Sequence, residues 1–266
     1  MAALVPLSEF PDAARLAVHT VLCDIDDTLT TQGRLTADAY AAMERLRAAG
    51  KRVVPVTGRP AGWCDLIARQ WPVDGVVGEN GAFYFRYDDA ARRMLRGYHD
   101  DAGTRAANRA RLDRLGAEIL AQVPGAAVSA DQAFRVADLA IDYREDVAPL
   151  DDAQVRRILG LMTDAGLTAK VSSIHVNGWI GEYDKLSMTR RFLAEAFGVD
   201  LGAEREGAVF VGDSPNDQPA FAFFPHSVGV ANIRRFAAEL SDPPAYVTGA
   251  EGGAGFAEVA DLLLAD

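Results

Sequence analysis

Along this chain, short unbroken apolar runs alternate with longer stretches in which apolar residues recur every three or four positions. An unbroken run reads as a strand buried on both faces, and the wider spacing as an amphipathic helix. HTVLCDID, from residue 19, predicts a first strand. TADAYAAMERLRAAG then predicts a helix with Thr36 at its N-cap and Gly50 at its stop. KRVVPVTG predicts a second strand, PAGWCDLIARQ a helix opened by Pro, and DGVVGENGAFYF a third strand. Such alternation builds a parallel sheet with crossover helices, and ligands bind such sheets beyond the carboxyl ends of the strands.

The far end repeats the style. GAVFVGDSPNDQPAFAFF predicts strand, turn and helix, SVGVAN a strand, and IRRFAAEL a helix. Between the two blocks the texture changes. After ARRMLRGYH come an Arg-rich helix (TRAANRARLDRLGAEILAQV), a strand (RVADLAIDYRE), a second helix (LDDAQVRRILGLMTDAG) and the strands LTAKVSSI and HVNGWIGEY. That order suits an antiparallel sheet covered by helices on one face. The predicted architecture is a doubly wound, Rossmann-like α/β core in two parts, 1–84 and 182–266, interrupted by an α+β insert over 85–181. There is no internal repeat, and the one low-complexity stretch is GAEGGAG near the C-terminus.

Composition narrows the partners. With 49% apolar and 24% charged residues in 266, the chain can bury a sizeable core. No apolar run reaches the roughly 18 residues of a membrane span, and the N-terminus lacks a secretory pattern, so no membrane partner and a cytoplasmic location are expected. The net charge of -11 weighs against nucleic acid held by phosphate neutralisation, and an acidic protein that handles a phosphate needs a metal cation to mediate. Cys23 and Cys64 stand in no CxxC or Cys/His cluster and read as buried thiols.

Candidate chemistry gathers where strands end. Asp24 and Asp26, two apart in VLCDIDDTLT, point the same way in an extended chain, and Asp27 points elsewhere. Two same-side carboxylates favour a cation between them, and oxygen-only ligands favour Mg²⁺, although short Asp-rich loops are also common turns. Thr57 and Gly58, ending VVPVTG, offer a hydroxyl and an open backbone N–H to a phosphoryl group, and the Arg59 fork beside them suits anionic oxygens. In GDSPND, Asp213 offers a third carboxylate, while Asn216 and Asp217 can hold water or a cationic side chain. An N-capping Asp before Pro explains Asp213 equally well. A cation must also meet an incoming phosphate dianion. Of the three lysines, Lys51 starts a strand at its far edge and Lys170 lies inside a strand of the insert, which leaves Lys185.

DIDDT, VTG, a lone lysine and GDSPND, in this order, resemble the four motifs of the haloacid dehalogenase superfamily of phosphohydrolases. The large insert following ENGAFYF resembles the subgroup with a C2B cap, which includes Cof-type, sucrose-phosphate and mannosyl-3-phosphoglycerate phosphatases. The resemblance implies Asp24 as nucleophile, through an aspartyl-phosphate, and Asp26 as general acid and then base. It also implies Mg²⁺ held by the Asp24 side chain, the Asp26 carbonyl and Asp213, and phosphate held by Thr57, Gly58 and Lys185, with Asn216 and Asp217 in support. Asn80, in ENG, joins the substrate-binding candidates. By analogy the cap segment from Ser173 to Glu182 faces the core, so His175 and Asn177 could read a sugar and Trp179 could stack on it, with packing an equal alternative for Trp179. The expected activity is Mg²⁺-dependent hydrolysis of a small phosphorylated sugar or glycoside by a monomer or homodimer. A phosphosugar mutase and a non-catalytic phospholigand-binding protein remain as alternatives.

Overall fold

A computed structural model describes residues 4–172 and 174–265. In chain order, β1 (Val5–Pro6) and α1 (Asp12–Ala17) precede β2 (Thr20–Cys23), a small hairpin of β3 (Thr30–Thr31) and β4 (Arg34–Leu35), and α2 (Ala37–Ala48). Next come β5 (Arg52–Pro55), α3 (Ala61–Gln70), β6 (Val76–Gly78), β7 (Phe83–Asp88) and β8 (Arg93–Tyr98). The insert follows, with α4 (Ala102–Gln122), β9 (Ala127–Val128), β10 (Asp138–Asp142), α5 (Asp152–Asp164), β11 (Thr168–Val171) and β12 (His175–Trp179). The chain closes with α6 (Lys185–Phe197), β13 (Ala208–Gly212), α7 (Gln218–Phe223), β14 (Ser227–Gly229), β15 (Tyr246–Val247) and α8 (Gly252–Leu264).

The core sheet has six strands in the order β1-β15-β14-β13-β2-β5, all parallel. Alternation along the strands sorts the core into two faces. Val21, Cys23, Val53, Val209 and Val211 pack with Met43 and Leu46 of α2, Ile67 of α3 and Phe256 of α8. Leu22, Val54 and Phe210 pack with Phe192 and Leu193 of α6 and Phe221 of α7. Helices on both faces make the sheet doubly wound, and its strands are correspondingly apolar throughout.

The insert has its own sheet, β11-β12-β10-β9, antiparallel throughout. Here the period of two decides the layers. Leu139, Ile141 and Val176 point into α4 and α5, against Leu112, Ile119, Ile158 and Met162. The alternate residues Asp138, Asp142, His175, Asn177 and Trp179 occupy the other face and are buried too. That face lies against the core.

Three expectations change. The insert was placed from residue 85, but β7 and β8 form a hairpin paired with β6 (Val76↔Phe85), and Phe83 and Phe85 join the core cluster. The separate sheet begins only after Tyr98. IRRFAAEL is not an α-helix, because residues 231–236 form a 3-10 turn that packs Ile233 inward. The Gly-rich GAEGGAG leads into α8, where Gly253 lets the helix approach the Leu29 carbonyl more closely than a Cβ would allow. Among the described residues no helix is long and apolar enough to cross a membrane.

Candidate active site

The carboxyl ends of β2, β5 and β13 lie side by side, which brings Asp24, Thr57 and Asp213 into one region. The Asp24 N–H continues the ladder by donating to the Val211 carbonyl at 2.9 Å, so its side chain leaves the sheet beside β13. Lys185 reaches the same point from α6. Asp184 caps that helix in a reciprocal box with Ser187, which fixes Lys185 as its first residue. A cation there opposes the helix dipole. Two carboxylates compensate: Nζ donates to Asp24 Oδ1 at 2.6 Å and to Asp217 Oδ1 at 3.1 Å. Gly81 lets the ENG turn meet this helix start, since a Cβ there would lie 2.1 Å from the Asp184 carbonyl oxygen.

Asp24, Asp213 and Asp217 are all buried around this single ammonium. Burial, with the charges of Asp217 and Asp26 and against the pull of Lys185, pushes Asp24 up to about 7. Asp213 is raised as well, by burial and then by Asp217 and Asp24. Burial would lower Lys185, but Asp217 and Asp24 outweigh it and push the ammonium up. Asp217 braces the cluster further by accepting the Asp213 N–H at 3.1 Å.

Asp26 has a different cation. Arg59 Nε and Nη2 grip its carboxylate at 2.8 to 3.1 Å, and Arg59 is only 5% exposed. The two acids therefore face one cavity with separate counter-charges, where the sequence suggested one shared cation. The Arg59 guanidinium also reaches residues of the insert, Glu145 Oε1 at 3.1 Å and Asp131 at 3.7 Å. Burial would lower Arg59, but Asp26 and then Glu145 push it up. Glu145 is held down, to about 2, first by its contact with His175 and also by the Arg59 charge. His175 Nε2 lies 2.9 Å from Glu145 Oε2, off the line of a straight hydrogen bond. Asp142 shapes the loop that presents Glu145 by accepting the N–H groups of residues 144–146 at 2.7 to 2.8 Å.

A second arginine joins insert to core. Arg135 pairs with Asp131 and Asp138 and donates to the Gly58 carbonyl at 3.0 Å. Asn177 donates to Asp138 at 3.1 Å. Glu79, of ENG, receives four backbone N–H groups, from Ala61, Val136, Ala137 and Asp138. Asn80, at φ 56°, sets its amide beside Gly58.

The result is a cavity of about 40 Å³ lined by Asp24, Asp26, Gly58, Arg59, Asn80, His175, Asn177, Lys185, Asp213 and Asn216 among others. Ten of the candidate residues meet there. Thr57 and Asp217 stand just behind, fully enclosed: the Thr57 hydroxyl accepts the Arg59 N–H at 3.0 Å. Trp179 is not at the cavity but packs on Tyr183 at 5.7 Å, so it is a packing residue. Ser173 lies outside the described residues. Arg135, Glu145, Ser172 and Ser214 were missed. Arg135 and Glu145 sit in no motif, and only the fold of the insert carries them to the core.

Asp27 takes the left-handed backbone conformation, at φ 57°. Its main chain makes the local bonds, N–H to Thr30 Oγ1 at 3.0 Å and carbonyl from Asn232 at 2.7 Å. The Thr28 hydroxyl donates to Asp213 Oδ1 at 3.4 Å.

The donor set suits Mg²⁺. Asp24 and Asp213 bring hard oxygens to a cavity that Asp26 also lines, and Asp213, unlike Asp24 and Asp217, is not paired with Lys185. Among the described residues no three His, Cys, Asp or Glu side chains could hold a metal by themselves. Main-chain, water or substrate oxygens would complete the shell.

A family model for haloacid dehalogenase-like hydrolases matches residues 21–100. No curated protein matches the sequence. Solved structures share the fold. A Thermoplasma acidophilum protein (0175) has TM-score 0.69 at 16% identity, covering 92% of this chain and 98% of its own. A HAD/COF-like hydrolase from Plasmodium vivax has TM-score 0.67 at 16% identity, covering 93% and 96%. The sucrose-phosphatase from Synechocystis sp. PCC6803, solved with sucrose and phosphate, has TM-score 0.63 at 14% identity, covering 92% and 97%. The family match thus covers the first part of the core, and over the chain as a whole the likeness to these solved structures is one of fold.

Proposed function

We propose that the protein is a Mg²⁺-dependent phosphomonoesterase working through an aspartyl-phosphate, with a small phosphorylated sugar or glycoside as substrate class. The observation that carries this reading is the meeting of Asp24, Asp213 and Lys185 in one small polar cavity closed by the insert. Asp24 is the nucleophile: one of its oxygens bonds to phosphorus as the bond to the leaving oxygen breaks. Lys185, held by Asp217, meets the phosphoryl charge, and the Gly58 N–H and the Asn80 side-chain amide give donors beside it. Asp26 passes a proton to the leaving oxygen, then takes one from the water that splits the intermediate. Both Asp26 oxygens are engaged by Arg59, so one must turn free as substrate enters. Asp24 and Asp213 would hold Mg²⁺, which would offset the charge of the carboxylates and of the transferring phosphoryl group.

The insert acts as the cap, with its independent sheet beginning after Tyr98, and the sucrose-phosphatase likeness supports the sugar class. The test is phosphate release from a panel of sugar phosphates, with and without Mg²⁺, by the native chain and by Asp24→Asn. Turnover that needs Mg²⁺ and vanishes in a folded Asp24→Asn protein is expected. Activity retained by that variant removes Asp24 from the mechanism, and activity confined to nucleotides or amino-acid phosphates removes the sugar class.

A further inference from the structure

Beside the polar cavity lies a second, much larger space. It is a crevice of about 420 Å³ walled by the loop from Ile25 to Leu35, by α3 and by Phe134 of the insert. Its size is that of a ligand pocket. Trp63, Leu66 and Phe134 are 42, 49 and 57% exposed, and they make up half of the exposed large apolar side chains among the described residues. Their convergence on one crevice is not the scatter expected of single surface apolar residues.

The crevice adjoins the reaction cavity and the cap–core interface. Asp26 lines both spaces. Arg59, which grips Asp26, stacks on the Trp63 ring at 4.3 Å, so the apolar wall begins where the polar site ends. Gly62 leaves room for Phe134 of the insert, since a Cβ there would lie 2.8 Å from the Phe134 Cβ. Core and cap thus build the crevice together. Polar groups are scarce in it: the Thr30 hydroxyl is already bonded to the Ile25 carbonyl at 3.2 Å, and Asp26 is held by Arg59. A hydroxyl-rich ring placed there would leave its hydroxyls unpaired, at a cost in affinity.

We propose that this crevice holds an apolar, preferably aromatic, portion of the substrate's leaving alcohol, so that the substrate is a phosphomonoester whose alcohol carries such a group beyond its phosphorylated part. The inference rests on the phosphomonoesterase reading for its orientation, because the leaving oxygen that takes the Asp26 proton must sit at the junction of the two spaces.

The experiment pairs 2-phenylethyl phosphate with ethyl phosphate, esters of primary alcohols that differ by one phenyl ring, and uses the full chain with Mg²⁺. The corresponding non-hydrolysable phosphonates are titrated against tryptophan fluorescence, which Trp63 and Trp71 report from the crevice wall. The phenyl compound should be favoured roughly tenfold or more, in kcat/KM and in phosphonate affinity. Leu66→Gln or Phe134→Ser, both at exposed positions, should bring that ratio toward one. An equal preference in the native protein overturns the crevice inference even if both esters turn over. A preference that neither variant reduces overturns it too, as does a dimer that Leu66→Gln dissociates without changing the phosphonate ratio. Absent turnover with retained tenfold tighter phenyl-phosphonate binding sinks the phosphomonoesterase reading and keeps the apolar subsite.

Discussion

Two charged regions meet at this site, and their acids are treated oppositely. Around Lys185, all from the core, Asp24 and Asp213 are pushed up first by burial and then by the neighbouring carboxylates, against the pull of Lys185. Along the cap edge, Asp131 and Glu145 are held down. Burial opposes this in Asp131, where Arg135 and the Ser129 hydroxyl prevail, and in Glu145, where His175 and Arg59 prevail. Arginine forks supply several donors per acid in the second region, and one ammonium serves both Asp24 and Asp217 in the first. The difference separates a set with a surplus of buried acid from a set whose ion pairs join the insert to the core.

Removing Lys185 should break the contrast most. Lys185→Met leaves Asp24 and Asp217 buried without their ammonium, and stability should fall by about 3 kcal/mol or more. Denaturant unfolding at neutral pH reads that loss, and phosphate release should fall with it. A variant as stable as the native chain would mean that the acids are protonated at rest.

Next in size is the response to Mg²⁺. Asp24 is raised in the folded state, so its contribution favours the fold below its ordinary value near 3.8 and is lost as pH rises through about 7. A divalent cation binds the ionised form and reverses the loss. The rise in Tm on adding Mg²⁺ should therefore be larger at pH 8 than at pH 5, and an equal rise at both would remove the carboxylates as the binding groups.

The smallest effect belongs to the cap edge. Glu145 is depressed, so its contribution is present above its ordinary value near 4.5 and is lost as pH falls toward about 2. Glu145 keeps a partly exposed side chain, which limits the strength of its pairs. Glu145→Gln should cost about 1 kcal/mol at pH 6, with the gap to the native chain closing near pH 2. A gap that persists at low pH would point to packing and not to charge.

Local rules made much of the core legible. The apolar runs ending in Asp24, Thr57 and Asp213 read correctly as strands because a doubly covered parallel sheet leaves little choice of residue. The hairpin after ENG was harder. Phe83 and Phe85 belong to the core by packing, and no residue between them and Tyr98 signals that the chain has yet to leave it. The 3-10 turn at 231–236 had helical spacing, yet packing ended it early.

What the sequence determined by itself was the set of groups at the strand ends, since strand periodicity fixes which side chains leave the sheet together. Lys185 also belongs there, because lysine is scarce and its helix start is marked by Asp184. Only the tertiary structure decided who neutralises whom. Arg59, expected beside a phosphate, is held by Asp26 and Glu145, and Glu145 comes to it from a loop of the insert 86 residues along the chain. The apolar crevice likewise needs three separate segments to exist. Pairing and enclosure depend on distances between elements far apart in the chain, and no local pattern encodes those distances.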